Sequence, residues 1–264
     1  MTLVVGAVVV PIVGSQLDPA KLIAAAVKVP LIADADTGFG NAINVVRTVE
    51  EYIRAGVAGL HLEDQVAPKR CGHVAGREVI AREEAVLKIR AAARTRDALD
   101  PDFVVIARTD ARGAHGGSLD EAIDRANAFL DAGADLAFVE GPKDVAEVAR
   151  IGAEVKGPVF YNMTGISPRL SAGQMAELGI RVCILPGAAM RATIMAIHDF
   201  AHALRTDGPM AEAAYDARFR QHPMGNLHGF SGFDRIREME AEFLPEEAGR
   251  KYEGGLGYAP KAAE

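Results

Sequence analysis

Short runs rich in Val, Ile and Leu recur along this chain and alternate with amphipathic stretches. Parallel strands that are buried on both faces read as continuous apolar runs, and the helices that connect them carry one apolar face. The pattern therefore predicts an α/β fold made of repeated strand–helix units. We predict strands at 29–36, 59–64, 103–110, 136–141, 158–163 and 181–186, and one more within 3–12.

Two of the connecting helices have clear sequence signals. Residues 42–54 carry apolar residues at helical spacing, which predicts a buried face formed by Ala42, Val46, Val49 and Ile53. Residues 118–132 begin with Ser118 and Glu121, whose spacing predicts a capping box at the start of a helix.

One helix–strand junction is repeated along the chain. Gly56 precedes a strand that ends at Glu63, and Gly133 precedes a strand that ends at Glu140. A third copy at Gly179 keeps the spacing but not the acid. Glycine suits the C-terminus of a helix. The repeated unit is therefore structural, and the glutamates are additions to it.

A barrel accounts for this pattern better than an open sheet. A doubly wound sheet would favour a glycine-rich dinucleotide turn, and no GxGxxG follows any predicted strand. In a βα barrel, polar residues at the strand ends form the active-site rim. We therefore predict a (β/α)8 TIM-type barrel over residues 1–205. Six clear strands and the one within 3–12 fall short of the eight in such a barrel, which predicts an incomplete N-terminal part.

The rest of the chain, residues 206–264, is predicted to be a C-terminal helical extension. It contains a predicted loop at 225–232 and a helix at 233–243. With 264 residues, 49% of them apolar, the chain can bury a large core, and one large domain is favoured over two small ones.

Charge and cysteine content exclude several function classes. The net charge of -7 argues against a nucleic-acid surface. Two distant cysteines support neither a disulfide framework nor a thiolate zinc site, and a reducing cytoplasm is the simplest setting. The apolar opening has no basic region and is too short to span a bilayer, so we interpret it as a buried strand rather than a signal peptide.

Three acids at neighbouring strand ends predict a metal site. Asp34 and Asp36 are expected on one face of a strand end, and Glu63 ends the next strand. Hard oxygen donors without histidine or thiolate ligands suit Mg²⁺ or Mn²⁺ better than Zn²⁺. The alternative is that one or two of these acids cap helices or pair with Arg108.

Cys71 is the candidate acid–base group. It lies in a loop after a strand, between Lys69, Arg70 and His73. Nearby positive charge favours a thiolate, and such a group can exchange a proton with a neighbouring carbanion. Cys183, in an apolar strand, fits a buried and inert cysteine instead.

The candidate substrate-binding groups also lie at strand ends. The planar fork of Arg108 could hold a substrate carboxylate through two hydrogen bonds, and the alternative is an ion pair with Asp110 or Glu140. Asn162 and Thr164 are candidate donors to a second carboxylate.

Other polar residues are predicted to be structural. His61 lies inside a strand, where a hydrogen-bonded core residue is the usual case. We also predict structural roles for Asp64 and Asp110. The run 113–117 lacks the lysine and spacing of a phosphate loop and is interpreted as a flexible connection.

The motifs ADADTGFG, HLEDQ, KRCGH and ARTD together resemble the isocitrate lyase and phosphoenolpyruvate mutase superfamily, and KRCGH resembles its lyase branch. The resemblance spans roughly residues 25–200. It implies a (β/α)8 barrel, in a homotetramer or homodimer, with a C-terminal helix exchanged between subunits. It also implies Mg²⁺ bound directly by Asp34 and through water by Asp36 and Glu63.

The implied reaction is a retro-aldol cleavage of a 2-hydroxy di- or tricarboxylic acid, of the 2-methylisocitrate or 2,3-dimethylmalate type. Its products would be pyruvate or glyoxylate and a second carboxylic acid. Cys71 would protonate the departing enolate, with Lys69 and His73 tuning its acidity. The implied substrate-binding residues are Arg108, Gly72, His73, Glu140, Asn162 and Thr164.

The resemblance leaves alternatives open. It implies two further βα elements at the start of the chain, with a serine- and glycine-rich substrate segment, and residues 1–19 stand in that place here. The alternatives are decarboxylation of a 2-oxo acid, phosphonate chemistry in the same pocket, or an inactive truncated barrel.

Overall fold

A computed structural model describes residues 17–72, 74–250, 252 and 255–258. Over these residues the chain divides after Ala189 into two compact units. The first unit contains a curled sheet of six parallel strands in the order β1-β2-β3-β4-β5-β6. Each strand pairs with the next along the chain, as in an α/β barrel. The predicted α/β class and the barrel-type strand order are therefore confirmed.

All six clear strands are present, and each is shorter than or shifted from its predicted range by a few residues. They are β1 (Ile32–Asp34), β2 (Gly59–Glu63), β3 (Val104–Thr109), β4 (Leu136–Val139), β5 (Val159–Asn162) and β6 (Ile180–Ile184). The strand predicted within 3–12 lies outside the described residues.

Helices precede and connect the strands. They are α1 (Leu17–Ala26), α2 (Ala42–Arg54), α3 (Arg82–Leu99), α4 (Leu119–Asp131), α5 (Val145–Glu154), α6 (Ala172–Glu177) and α7 (Ala188–Asp207). Ser118 caps α4 through a hydrogen bond from the Glu121 amide, as predicted. The Glu121 carboxylate does not complete a capping box there, because it accepts hydrogen bonds from Arg82 and Arg125.

The bounds of α2 match the prediction, but the predicted buried face is wrong by about one position. The fully buried residues are Val45, Thr48, Val49 and Tyr52. Of the predicted face, only Val49 is among them. Periodicity located the helix but not its rotation, and two of its buried residues make polar contacts. The hydroxyl of Thr48 donates to the Gly38 carbonyl at 3.1 Å, and that of Tyr52 donates to the Asp34 carbonyl at 3.2 Å.

The internal repeat has the predicted structural basis. Gly56, Gly133 and Gly179 each follow a helix and have φ of 79°, 106° and 77°. These left-handed conformations strain any residue with a Cβ atom, which is why glycine recurs there.

Apolar side chains pack on both faces of the sheet. Between the sheet and α1–α6, two clusters of buried residues fill the outer layer. On the inner face, a smaller cluster contains Ile106, Phe138, Phe160 and Ile184. The polar residues at the strand ends lie directly above this inner cluster.

The second unit is helical, as predicted for this part of the chain. After α7 it contains α8 (Pro209–Phe219), α9 (Leu227–Phe230), α10 (Phe233–Phe243) and α11 (Glu246–Arg250). The helix predicted at 233–243 is confirmed, whereas the predicted loop at 225–232 contains the one-turn helix α9. The boundary after residue 205 and the packing on a neighbouring subunit stay predictions.

Across the described ranges, none of the helices has the length and apolar character needed to cross a membrane. The cytoplasmic location stays a prediction.

Candidate active site

The polar residues at the strand ends continue the inner face of the sheet. Arg108, Glu140 and Asn162 each lie two residues beyond a member of the inner apolar cluster on the same chain segment. Because side chains alternate along a strand, they point to the same side as the inner apolar cluster. The polar rim predicted from the sequence is therefore a layer above a packed interior.

Three carboxylates on this rim surround one ammonium group. Nζ of Lys69 lies 3.4 Å from Oδ2 of Asp36, 3.4 Å from Oε2 of Glu63 and 3.8 Å from Oδ2 of Asp34. We call Asp34, Asp36 and Glu63 the carboxylate cluster. The structure thus brings together the three predicted metal ligands and one of the predicted catalytic residues.

Backbone geometry explains how the two aspartates converge. Asp34 ends β1, but Asp36 lies in the following turn with a φ of 54°, so the prediction that both stand on one strand end is wrong for Asp36. The Asp36 amide donates to Oδ1 of Asp34 at 2.8 Å, and the Thr37 amide donates to Oδ1 of Asp36 at 2.7 Å. The turn itself directs both carboxylates toward Lys69.

Burial and charge give these acids different properties. Burial raises the pKa of Glu63 to about 7, because Arg108 and Lys69 offset the lost hydration only in part. Burial also acts to raise the pKa of Asp34, but His61, Lys69 and the Asp36 amide bring it below its usual value. Despite its own burial, Lys69 has a raised pKa because the carboxylates surround it. Lys69 is therefore charged at neutral pH.

His61 is a core residue, as predicted, but not a fully hydrogen-bonded one. Its ring centroid lies 5.9 Å from that of Phe138 and 6.3 Å from that of Phe160. Burial lowers its pKa, although the neighbouring Asp34 opposes the shift. Nδ1 lies 3.7 Å from Asp34, and among the described residues it has no hydrogen-bond partner.

Arg108 is engaged by protein carboxylates, which was the alternative that the sequence left open. Nε and Nη2 donate to the two oxygens of Asp110 at 2.8 and 3.1 Å. Arg77 donates to Oδ1 of Asp110 at 2.8 Å. We call Arg77, Arg108 and Asp110 the arginine cluster. Burial alone raises the pKa of Asp110, but Arg108 and Arg77 outweigh it and the pKa is lowered.

The second edge of Arg108 faces the other predicted substrate-binding residues. Nη1 lies 3.4 Å from Oε2 of Glu140, and Nδ2 of Asn162 donates to the same oxygen at 3.2 Å. Oδ1 of Asn162 is buried, and in the described part of the chain it has no hydrogen-bond partner. Thr164 lies half-buried in the turn after β5.

The loop at 65–80, here called the thiol loop, is fixed at its base. The side chain of Gln65 donates to the Arg70 carbonyl and accepts from the Arg70 amide, both at 3.0 Å. Gln65 also pairs with Val79 in an antiparallel bridge. The loop therefore leaves β2 and returns to the same edge, with residues 69–72 presented over the rim.

The tip of the thiol loop lies between the two clusters. Lys69 contacts the carboxylate cluster, while a Cβ atom at Gly72 would lie 2.5 Å from Nη2 of Arg108 and 3.0 Å from Cγ of Glu140. Only glycine allows this approach. Cys71 stands between these two residues and is exposed. His73 lies outside the described residues.

The residues predicted to be structural have that role. Asp64 points to the outer side and accepts hydrogen bonds from Thr109 at 2.7 Å, the Asp110 amide at 2.9 Å and Arg125 at 3.1 Å. Cys183 is buried, and burial raises its pKa.

No pattern in the sequence pointed to Arg77, which lies in the thiol loop and donates a hydrogen bond to Asp110. The run 113–117 is not simply a flexible connection, because a Cβ atom at Gly113 would lie 1.9 Å from Nη2 of Arg77. The glycine there makes room for the guanidinium. The reason for a glycine at this position could be recognised only from the structure, which shows the buried ion pair beside it.

The donor set of the carboxylate cluster fits a divalent cation. Its members supply hard oxygen ligands of the kind that Mg²⁺ prefers. Oε1 of Glu63 is buried and, among the described residues, lacks a hydrogen-bond partner that a cation or its water could supply. As they stand, however, no three or more histidine, cysteine, aspartate or glutamate side chains in the described ranges are gathered closely enough to hold a metal ion. Lys69 lies between the carboxylates instead.

Comparison with known proteins places these residues in a family context. Residues 12–205 match the phosphoenolpyruvate phosphomutase family. The 2,3-dimethylmalate lyase of Eubacterium barkeri is 43% identical over 226 residues, which cover 85% of this chain and 75% of that protein. A solved structure of a 2,3-dimethylmalate lyase matches with a TM-score of 0.75 and 35% identity, over 92% of this chain and 78% of that one. A phosphonopyruvate hydrolase solved with oxalate and Mg²⁺ matches with a TM-score of 0.76 and 33% identity, over 88% and 80%.

Proposed function

Because the chain belongs to the phosphoenolpyruvate mutase and isocitrate lyase superfamily and its relatives include lyases, we propose that it is a Mg²⁺-dependent carbon–carbon lyase. The substrate would be a 2-hydroxy di- or tricarboxylic acid of the 2,3-dimethylmalate or 2-methylisocitrate type. The products would be pyruvate or glyoxylate and a second carboxylic acid. The single observation that carries the proposal is the position of the Cys71 loop tip, between a cluster of three carboxylates and a buried arginine.

Asp34, Asp36 and Glu63 would hold Mg²⁺, and the ion would supply positive charge beside the substrate oxygen that becomes negative as the carbon–carbon bond breaks. The substrate hydroxyl loses its proton to solvent as the hydroxyl-bearing carbon becomes the carbonyl carbon of the oxo acid. The electron pair of the broken bond goes to the departing carboxylic acid.

Cys71 would then donate its thiol proton to the departing carbon, which completes the second product. Its exposed position at the loop tip supports this role, because the proton must reach a substrate that enters from solvent. Lys69 and His73 are proposed to tune the acidity of the thiol.

Arg108 would orient a substrate carboxylate through its Nη1 edge, since Nε and Nη2 are committed to Asp110. The substrate would compete there with Glu140. Asn162, Thr164 and the backbone at Gly72 are the proposed neighbours. The buried Oδ1 of Asn162 has no hydrogen-bond partner among the described residues, and it could accept a hydrogen bond from the substrate hydroxyl.

A second candidate is hydrolysis or decarboxylation of a 2-oxo acid or phosphonate in the same pocket. It is supported by the phosphonopyruvate hydrolase structure, which is as similar in fold as the lyase structure. The KRCGH motif favours the lyase over this candidate, and an inactive barrel is the remaining alternative.

The test is release of pyruvate and glyoxylate from 2,3-dimethylmalate, 2-methylisocitrate and isocitrate, with and without Mg²⁺. Oxaloacetate and phosphonopyruvate serve as substrates for the second candidate. Metal-dependent release from any 2-hydroxy acid supports the lyase. Turnover of only oxaloacetate or phosphonopyruvate would replace it with the second candidate, and no turnover by folded protein would favour the inactive barrel.

We also propose that the chain forms a homodimer or homotetramer and that its partner is a small carboxylate rather than nucleic acid or membrane. The net charge of -7 supports the exclusion of nucleic acid. Light scattering during size-exclusion chromatography tests the oligomer, and a monomer would contradict it.

A further inference from the structure

Lys69 occupies the point toward which the carboxylate cluster is directed. Its Nζ lies within 3.8 Å of an oxygen from each of Asp34, Asp36 and Glu63. The side chain is 26% exposed, so the ammonium has exchanged much of its hydration for these contacts. No other lysine or arginine in the described residues forms ion pairs with all three acids.

A divalent cation bound by the same three acids would need the space that this ammonium fills. Mg²⁺ binds oxygen ligands at about 2.0–2.1 Å and repels a neighbouring positive charge. The ammonium and the metal ion therefore exclude each other. In agreement with this exclusion, no three such side chains in the described ranges are gathered closely enough to hold a metal ion.

We propose that Lys69 is an internal counter-ion that holds the thiol loop over the carboxylate cluster until a divalent cation displaces it. Metal binding and the position of the thiol loop are then coupled. The inference rests on the metal site of the proposed function and adds a residue that competes with the metal.

The coupling follows from the position of Lys69 in the loop. Only Arg70 separates Lys69 from Cys71 along the chain. When the ammonium leaves the carboxylates, the segment that moves is therefore short and includes the thiol. Arrival of the metal thus repositions the proposed proton donor.

The first test measures Mg²⁺ binding by calorimetry for the wild type, Lys69→Met and Arg70→Met. Arg70 is the matched control, because it is the adjacent cation on the same loop and its side chain is exposed. We expect Lys69→Met to bind Mg²⁺ roughly tenfold more tightly or better, since no ammonium must be displaced. Arg70→Met should bind like the wild type.

Salt separates displacement from a general change in charge. A long-range charge effect weakens as the Debye length shortens, whereas removal of a direct competitor does not depend on it. The gain in Lys69→Met should therefore persist at high salt. An equal gain in Arg70→Met, or a gain that disappears with salt, would overturn the inference.

A second readout follows the loop itself. Cys183 is buried, so alkylation of the native protein reports on Cys71. We expect Mg²⁺ to change the alkylation rate of Cys71 in the wild type and to have little effect on it in Lys69→Met. If the wild type binds Mg²⁺ and Lys69→Met binds it equally or more weakly, only the counter-ion inference fails. If no variant binds Mg²⁺ or Mn²⁺, the metal site of the proposed function fails with it.

Discussion

The two clusters at the rim balance their charges in opposite ways. In the arginine cluster, two guanidinium groups share one carboxylate, and the hydrogen bonds are 2.8–3.1 Å long. In the carboxylate cluster, three acids share one lysine at 3.4–3.8 Å, and Glu63 also lies 3.4 Å from Nε of Arg108. Accordingly, the pKa of Asp110 is lowered, whereas burial raises the pKa of Glu63 to about 7.

The difference separates a network whose carboxylate is fully compensated, although Nε of Arg77 has no hydrogen-bond partner among the described residues, from one whose carboxylates a ligand can complete. Asp110 has as much positive charge and hydrogen bonding as its burial requires, so the arginine cluster is part of the scaffold. Glu63 does not, and its Oε1 is unpartnered among the described residues. We infer that the carboxylate cluster is the side of the rim that binds a cation, and that the thiol loop acts between the two.

The largest effect is expected from a change that touches neither cluster. Cys71→Ser should reduce lyase turnover by roughly 10²–10⁴-fold, because a serine hydroxyl is a much weaker acid in this role. Mg²⁺ affinity and thermal stability should stay at wild-type values. Steady-state kinetics and calorimetry measure both, and Cys183→Ala is the matched control, expected to keep turnover. Near-normal turnover in Cys71→Ser would remove the thiol from the mechanism.

Disrupting the arginine cluster is expected to lower the stability of the folded protein. Asp110→Asn leaves two buried guanidinium groups without their carboxylate and should lower the free energy of unfolding by about 3–5 kcal/mol. Urea denaturation measures the loss. Asp120→Asn, which removes an exposed ion pair with Arg150, is the control and should cause no measurable change.

The pH dependence of that loss has a definite sign. The pKa of Asp110 is lowered in the folded state from an ordinary value of 3.8. Its stabilising contribution is therefore fully present above pH 3.8 and is lost as the pH falls toward the folded-state value. The difference in unfolding free energy between wild type and Asp110→Asn should be constant near neutrality and shrink below about pH 4. A difference that grows on acidification would contradict the ion-pair account.

Changing the carboxylate cluster is expected to weaken metal binding rather than to lower the stability of the folded protein. Glu63→Gln should weaken Mg²⁺ binding by about 10- to 100-fold. Without metal, its melting temperature should equal or exceed that of the wild type, since a buried and incompletely compensated acid is removed. Glu78→Gln, an exposed acid of the thiol loop, is the control for affinity. A Glu63→Gln protein that melts far below the wild type would place Glu63 in the scaffold and remove the contrast between the clusters.

The sequence predicted the strands that carry this site better than the side-chain contacts within it. The alternation of apolar runs located all six strands, and the acids that end them are at the rim. Asp110 could be considered from the sequence as a partner of Arg108, because it lies two residues further along the chain and its side chain is expected on the same face of the strand. Arg77 could not, since it lies 33 residues before Asp110 in a loop without periodicity. The periodicity of a sequence predicts the face on which a side chain lies. The contacts that a loop residue makes with distant residues depend on the tertiary structure.

The smallest effect is expected where the thiol loop meets the arginine cluster. In Gly72→Ala the new Cβ would lie 2.5 Å from Nη2 of Arg108, so the loop tip must lift. A displaced proton donor should lower kcat by about tenfold or more. Mg²⁺ affinity should not fall, because the three acids are unchanged and a lifted loop tip can only move the competing Lys69 away from them.

Gly173→Ala in α6 is the matched control, since its Cβ would be no closer than 3.9 Å to Ser171. It should keep full activity and gain a little helix stability. If Gly72→Ala weakens Mg²⁺ binding as strongly as it lowers kcat, the two clusters communicate through the loop tip as one unit. A selective fall in kcat would instead show that the loop has two separate roles. Its contact with the arginine cluster at Gly72 positions the thiol, and its contact with the carboxylate cluster at Lys69 responds to the metal.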